Sequence, residues 1–83
     1  MSAVELLLYG RRYCHLCDEM ATALAALSST AEFSVRFVDI DDDPALEERY
    51  GADIPVLAHG SRELCRHRLN DVAVQAYLAQ FVK

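Results

Sequence analysis

Cys14-His15-Leu16-Cys17 stands where an apolar run, Leu6-Leu7-Leu8-Tyr9, gives way to a helical pattern. This junction constrains the chain more than any other stretch. Residues three apart lie on one face of a helix, so the two sulfurs can close a disulfide without moving the backbone far. A thiol at a helix N-terminus faces unpaired N–H groups and the positive end of the helix dipole, and both stabilise its thiolate. The thiolate is the nucleophile of disulfide exchange, so a Cys-x-x-Cys that opens a helix is a reactive pair.

The chain has 83 residues, and residues 1–83 are expected to form one small domain. Apolar residues make up 53% of it, enough for a packed core and too many for wholesale disorder. The formal charge of −5 argues against non-specific binding to nucleic acid or to an anionic membrane. Three cysteines are too few, and of the wrong parity, for a disulfide-stapled secreted scaffold. Nothing at Met1-Ser2-Ala3 reads as a secretory leader, and Glu5 interrupts the first apolar run before any window could span a bilayer. A reducing, cytoplasmic setting is therefore expected. There a Cys-x-x-Cys points to redox or metal chemistry rather than to a structural bridge.

Val4 to Tyr9, bounded by Gly10, reads as a buried strand. After a polar loop, Leu16, Met20, Ala23, Leu24 and Leu27 follow a 3.6-residue period. That period predicts a helix from Cys14 or His15 to Ser28, ended by Ser28-Ser29-Thr30. Phe33 to Phe37 alternates strictly, as a strand does. The acidic run Asp39, Asp41, Asp42, Asp43 reads as a solvated turn in which Asp43 caps a helix and Pro44 takes its first position. That helix should run from Pro44 to Tyr50 and stop at Gly51. Ile54 to Leu57 predicts a third strand beginning at a proline, His59-Gly60-Ser61 a turn, and Arg62 to Arg66 a fourth strand. Asn70 or Asp71 should cap a last helix with the stripe Val74, Tyr77, Leu78, Phe81. The order is β-α-β-α-β-β-α, an α/β class. The first two strands should be parallel through a right-handed crossover. The last two should form an antiparallel hairpin. One four-stranded mixed sheet with helices on both faces would bury every stripe.

Taken together, the Cys-x-x-Cys after the first strand, the Ile54-Pro55 opening the third, the element order and the length resemble small thioredoxin-fold proteins. Within that group the chain is similar to the glutaredoxins, and among them to the small, divergent glutaredoxin-like proteins of bacteria. The resemblance implies a thioredoxin-like fold and thiol–disulfide exchange. It implies that Cys14 is the exposed nucleophile and Cys17 the more buried resolving thiol. Arg11 stands where glutaredoxins often carry a lysine that contacts the glutathione carboxylate. Pro55 falls where the family has its cis-proline, in a loop opposite the cysteines, and the backbone of Ile54 would pair with an extended substrate segment. Asp71 matches the acidic helix cap that helps to hold glutathione. Two features depart from the family pattern. His15 and Leu16 replace the usual proline and aromatic residue between the cysteines, and His67-Arg68-Leu69-Asn70 stands where a Gly-Gly turn is common.

Other readings follow from the residues themselves. A guanidinium at Arg11 or Arg12 could bind a carboxylate bidentately and favour the Cys14 thiolate, or serve as an ordinary loop charge. His15 could stabilise an adjacent thiolate when protonated, or simply face solvent. Leu16 could contact a substrate peptide or cover the sulfurs. Tyr13 could shield the disulfide, stack on a ligand or merely pack. Cys65 reads as a buried sheet thiol. The leading expectation is an enzyme of thiol–disulfide exchange acting on disulfide-containing or glutathionylated proteins. The resemblance leaves either glutathione as co-substrate or a thioredoxin-type reductase as the partner that resets the pair, and no cofactor would be tightly bound. A monomer is expected. Two other classes remain open. One is a metal site: zinc held by Cys14, Cys17, Cys65 and His67 or, as the resemblance to glutaredoxins implies, an iron–sulfur cluster. The other is a partner-binding module that kept the fold without the chemistry.

Overall fold

In the computed structural model residues 4–28 and 31–81 are described. Strand β1 (Glu5–Gly10) leads into helix α1 (His15–Leu27), and strand β2 (Ser34–Asp39) follows. A 3-10 turn (Ile40–Asp42) and helix α2 (Pro44–Tyr50) precede the hairpin of β3 (Val56–His59) and β4 (Arg62–Arg66). Helix α3 (Asp71–Leu78) ends in a 3-10 turn (Ala79–Phe81). The strands lie in the order β2-β1-β3-β4. β1 runs parallel to β2 and antiparallel to β3, and β3 runs antiparallel to β4. This is the expected mixed four-stranded sheet.

Two apolar clusters show why the sheet is covered on both faces. Alternate residues of a strand point to opposite sides. Leu6 and Leu8 of β1 and Leu57 of β3 pack with Met20, Leu24 and Leu27 of α1 and Val74 and Leu78 of α3. Their neighbours Tyr9 and Val56 face the other way and pack with Ile40, Leu46 and Tyr50 from the 3-10 turn and α2. Tyr9 and Tyr50 stack there with ring centroids 4.5 Å apart.

Local chemistry sets the ends of the elements. Asp43 accepts the N–H of Ala45 at the start of α2, with Pro44 in the first turn. Asn70 is the cap of α3 and accepts the N–H of Ala73 at 3.1 Å. The Ser29-Thr30 part of the predicted end of α1 lies outside the described residues.

Three expectations are corrected. The third strand begins at Val56, not at Ile54 or Pro55, and extends through His59. The Ile54–Pro55 bond is cis, and a proline has no N–H to give to a ladder. The turn is therefore shorter than predicted and rests on Gly60, whose φ of +61° suits a residue without a Cβ. Second, the alternation of Phe33, Val35 and Phe37 is real, but only Phe33 is buried. Val35 and Phe37 lie beside Leu6 and Leu8 in register and remain 40% and 47% exposed. β2 is an edge strand, and the small residues Ala21 and Ala25 on the facing side of α1 leave a groove over it. Third, Phe81 leaves the core stripe for the terminal 3-10 turn. There it meets His59 and Tyr77 edge-on, while the Tyr77 hydroxyl and His59 Nδ1 share a hydrogen bond of 2.6 Å.

Candidate functional site

The two cysteines are joined as a disulfide, with Cα atoms 5.2 Å apart. Cys14 is the residue before the first helical turn, in extended conformation with φ −100° and ψ 112°. Its carbonyl accepts the N–H of Asp18, and its Sγ accepts the N–H of Cys17 at 3.2 Å. The sulfur thus takes the place of a capping oxygen, facing donors that a helix start leaves without partners. Cys17 lies one turn on and is 2% exposed, whereas Cys14 is partly open to solvent.

The floor under Cys17 is Gly10, the last residue of β1. A Cβ there would stand 2.8 Å from Cys17 Sγ and 3.1 Å from the Phe37 ring. Only a residue without a side chain lets the strand end and the buried sulfur meet. Sequence reading gave Gly10 only the role of ending a strand.

The loop before Cys14 is held by ion pairs. Arg11 pairs with Glu47 of α2, and its Nε lies 3.7 Å from Asp41 Oδ1. That Nε is buried without a hydrogen-bond acceptor of its own. Arg12 pairs with Asp39 at 3.4 Å. The acidic run is thus more than a solvated turn, because three of its carboxylates or their neighbours hold the two arginines. Tyr13 has φ +59°, a region a bulky residue rarely adopts. Its ring is 102% exposed, so it does not shield the disulfide. His15 opens α1 exposed, with Nε2 2.8 Å from Glu19 one turn on. Leu16 is 40% exposed.

The loop opposite in the chain is also clamped. Ile54 is partly buried against the Tyr50 cluster, and Pro55 is buried. His67, with φ +68°, gives its N–H to the Pro55 carbonyl at 2.8 Å. Arg66 reaches back to Asp53 at 2.9 Å and grips Glu63 through Nε and a terminal nitrogen, both at 2.6 Å. The Arg66 hydrogen bonds hold the Glu63 carboxyl below its usual range, and Glu63 in turn raises the Arg66 guanidinium. His67 Nε2 sits 3.5 Å from Asp53. Sequence reading missed this Asp53–Arg66–Glu63–His67 network. Its members lie on one strand, β4, and on the two loops before β3 and after β4, and nothing in their spacing pairs them.

Asp71 turns onto its own helix, where Oδ1 accepts the N–H of Val72 at 2.9 Å. Cys65 is a half-buried free thiol on β4, and its burial pushes the thiol pKa up. Among the described residues no three His, Cys, Asp or Glu side chains come together as a metal ion would need. The set Cys14, Cys17, Cys65 and His67 is therefore not assembled, because β4 does not carry Cys65 to the disulfide. No helix among the described residues is long and apolar enough to cross a membrane.

Comparison with known proteins places these features in a family. A model of the glutaredoxin-like domain (DUF836) matches residues 5–79. The solution structure of protein Ne2328 from Nitrosomonas europaea is 34% identical, with 94% of each chain covered and a TM-score of 0.85. The crystal structure of protein XcR50 from X. campestris is 38% identical over 90% of this chain and 96% of that one, with a TM-score of 0.65. A thioredoxin from Halobacterium salinarum, 17% identical, shares the fold over 99% of this chain and 77% of its own, with a TM-score of 0.66. No curated protein matches the chain. With a paired Cys14 and Cys17 at the head of α1 in a thioredoxin-like sheet, the chain belongs to the glutaredoxin-like (DUF836) family.

Proposed function

We propose that the protein is a thiol–disulfide oxidoreductase in which Cys14 attacks and Cys17 resolves. The observation that carries this reading is the position of Cys14 Sγ, which caps α1 and accepts the Cys17 N–H. In the reduced protein the same N–H and the helix dipole would stabilise a Cys14 thiolate. That thiolate attacks one sulfur of a substrate disulfide, forming a mixed disulfide and expelling the other sulfur as a thiolate, which takes up a proton. Cys17 then loses its proton and attacks Cys14 Sγ, and the second substrate sulfur leaves as a thiol. The substrate gains two electrons and two protons, and the Cys14–Cys17 disulfide is the oxidised product. An external thiol reductant, glutathione or a dithiol, returns the pair to its reduced form.

Burial suits Cys17 to the second step. It is screened from solvent and from bulky disulfides, yet one turn from Cys14. Substrates of this chemistry are disulfide-containing or glutathionylated proteins, met in the cytoplasm, where thiols are kept reduced. Tyr13, His15 and Leu16 are the exposed side chains flanking the sulfurs and are the contacts such a substrate would meet first.

The test is a redox titration of the full chain in glutathione buffers, with mass spectrometry counting free thiols, internal disulfide and glutathione adduct. A reversible Cys14–Cys17 disulfide with a potential of roughly −270 to −120 mV, the span of known oxidoreductases, is expected. In Cys17→Ser the adduct should accumulate on Cys14. A pair that stays reduced across the whole series would overturn the reading.

A further inference from the structure

A cavity of about 180 Å³ opens between the first turns of α1 and the loop that joins β4 to α3. Leu16, Met20 and Leu69 supply apolar walls, and Glu19, His67 and Arg68 form its rim. Leu16, which lies between the two cysteines in sequence, lines the cavity and is 40% exposed, so the same helical turn carries the sulfurs and one wall of the cavity. From this site we infer the substrate class. The geometry points to a protein disulfide whose cysteine is flanked by an apolar side chain, which enters this cavity, and by a carboxylate, which meets Arg68. The inference rests on the oxidoreductase reading above.

Charge selects the carboxylate. At this rim Glu19 is engaged by His15, and His67 lies against Asp53. Among the described residues Arg68 makes no ion pair, although it is exposed. A guanidinium without a partner beside an apolar hole favours a ligand that brings one apolar group and one negative charge. Burial of a leucine-sized side chain favours it over glycine by about tenfold or more in affinity.

The same surroundings disfavour glutathione as the primary disulfide partner. Were its glycyl carboxylate to bind Arg11, as the resemblance to glutaredoxins implies, it would have to compete with Glu47 and Asp41. At the start of α3, where the same resemblance would place its γ-glutamyl end, the Val72 and Ala73 N–H groups already have acceptors in Asp71 and Asn70. Polar groups that are already paired offer a charged ligand little net gain.

The experiment uses the reduced full chain in single-turnover reactions with mixed disulfides of thionitrobenzoate. The partner thiol is glutathione or a short peptide carrying Leu-Cys-Glu, Gly-Cys-Glu or Leu-Cys-Lys. Each reaction releases thionitrobenzoate, read by absorbance, and then the peptide thiol, as the protein forms its disulfide. The Leu-Cys-Glu peptide is expected to reach half-saturation at a concentration about tenfold below that of Gly-Cys-Glu or the glutathione reagent. In Arg68→Glu the preference between Leu-Cys-Glu and Leu-Cys-Lys should invert. Leu16→Ser should erase most of the difference between leucine and glycine. Equal saturation by all four reagents, or an Arg68→Glu variant that keeps the original preference, overturns the cavity assignment while leaving the oxidoreductase reading intact. Release no faster than in Cys14→Ser with every reagent overturns both.

Discussion

Gly10 and Cys17 touch across the end of β1, and a Cβ on Gly10 would come within 2.8 Å of the buried sulfur. In the oxidised protein that sulfur is bonded to Cys14 and cannot rotate aside. In the reduced protein it can. Gly10→Ala is therefore expected to lower the melting temperature of the oxidised form more than that of the reduced form. The cost of overpacking is about 1–3 kcal/mol. Paired thermal melts with and without dithiothreitol check this, and equal losses in both states would argue against the contact.

Glu47 restrains Arg11 thirty-six residues away in sequence. Glu47→Gln removes one of the two carboxylates that engage this guanidinium and leaves Asp41. The reaction of Cys14 with glutathione disulfide, which carries net negative charge, should quicken severalfold at low salt. The gain should fade as ionic strength rises, because exposed charges are screened over about 10 Å at 0.1 M. Stopped-flow rates over a salt series are the measurement.

Cys65 is the free thiol of the oxidised chain, and burial raises its pKa. A raised native pKa means that the native state keeps its proton to higher pH than the unfolded state does. The linked stability is fully present below the unfolded thiol value of about 8.5 and is lost as pH rises through the native value. Oxidised wild type should therefore lose stability relative to Cys65→Ala as pH climbs above that point. Urea melts of both proteins from neutral to alkaline pH measure the difference. At neutral pH the same thiol should react with iodoacetamide more slowly than a peptide cysteine.

Asn70 caps α3 through the Ala73 N–H. Asn70→Ala should cost about 1 kcal/mol, visible as a lower urea midpoint with an unchanged slope. Because Asp71 keeps its bond to the Val72 N–H, the helix itself should persist by circular dichroism.

Short-range chemistry made most of the architecture legible in the sequence. The period of Leu16, Met20, Leu24 and Leu27 predicts α1, the Asp43-Pro44 pair predicts the start of α2, and the Cys-x-x-Cys spacing at the start of that period predicts two cysteines within disulfide distance at a helix head. Each of these follows from interactions within one or two turns of chain, which sequence spacing encodes directly. Tertiary structure decided which charges meet. Arg11 and Arg12 are adjacent to the cysteines in sequence, but parallel pairing of β1 with β2 brings the Asp39–Glu47 segment beside them, so they bind carboxylates of their own chain. Asp71 likewise satisfies its own helix. The exposure of Val35 and Phe37 has the same origin, since strict alternation announces a strand but not whether it lies at the edge of the sheet. Long, flexible side chains carry no periodicity, and their partners are fixed only when the sheet order sets which segments are neighbours.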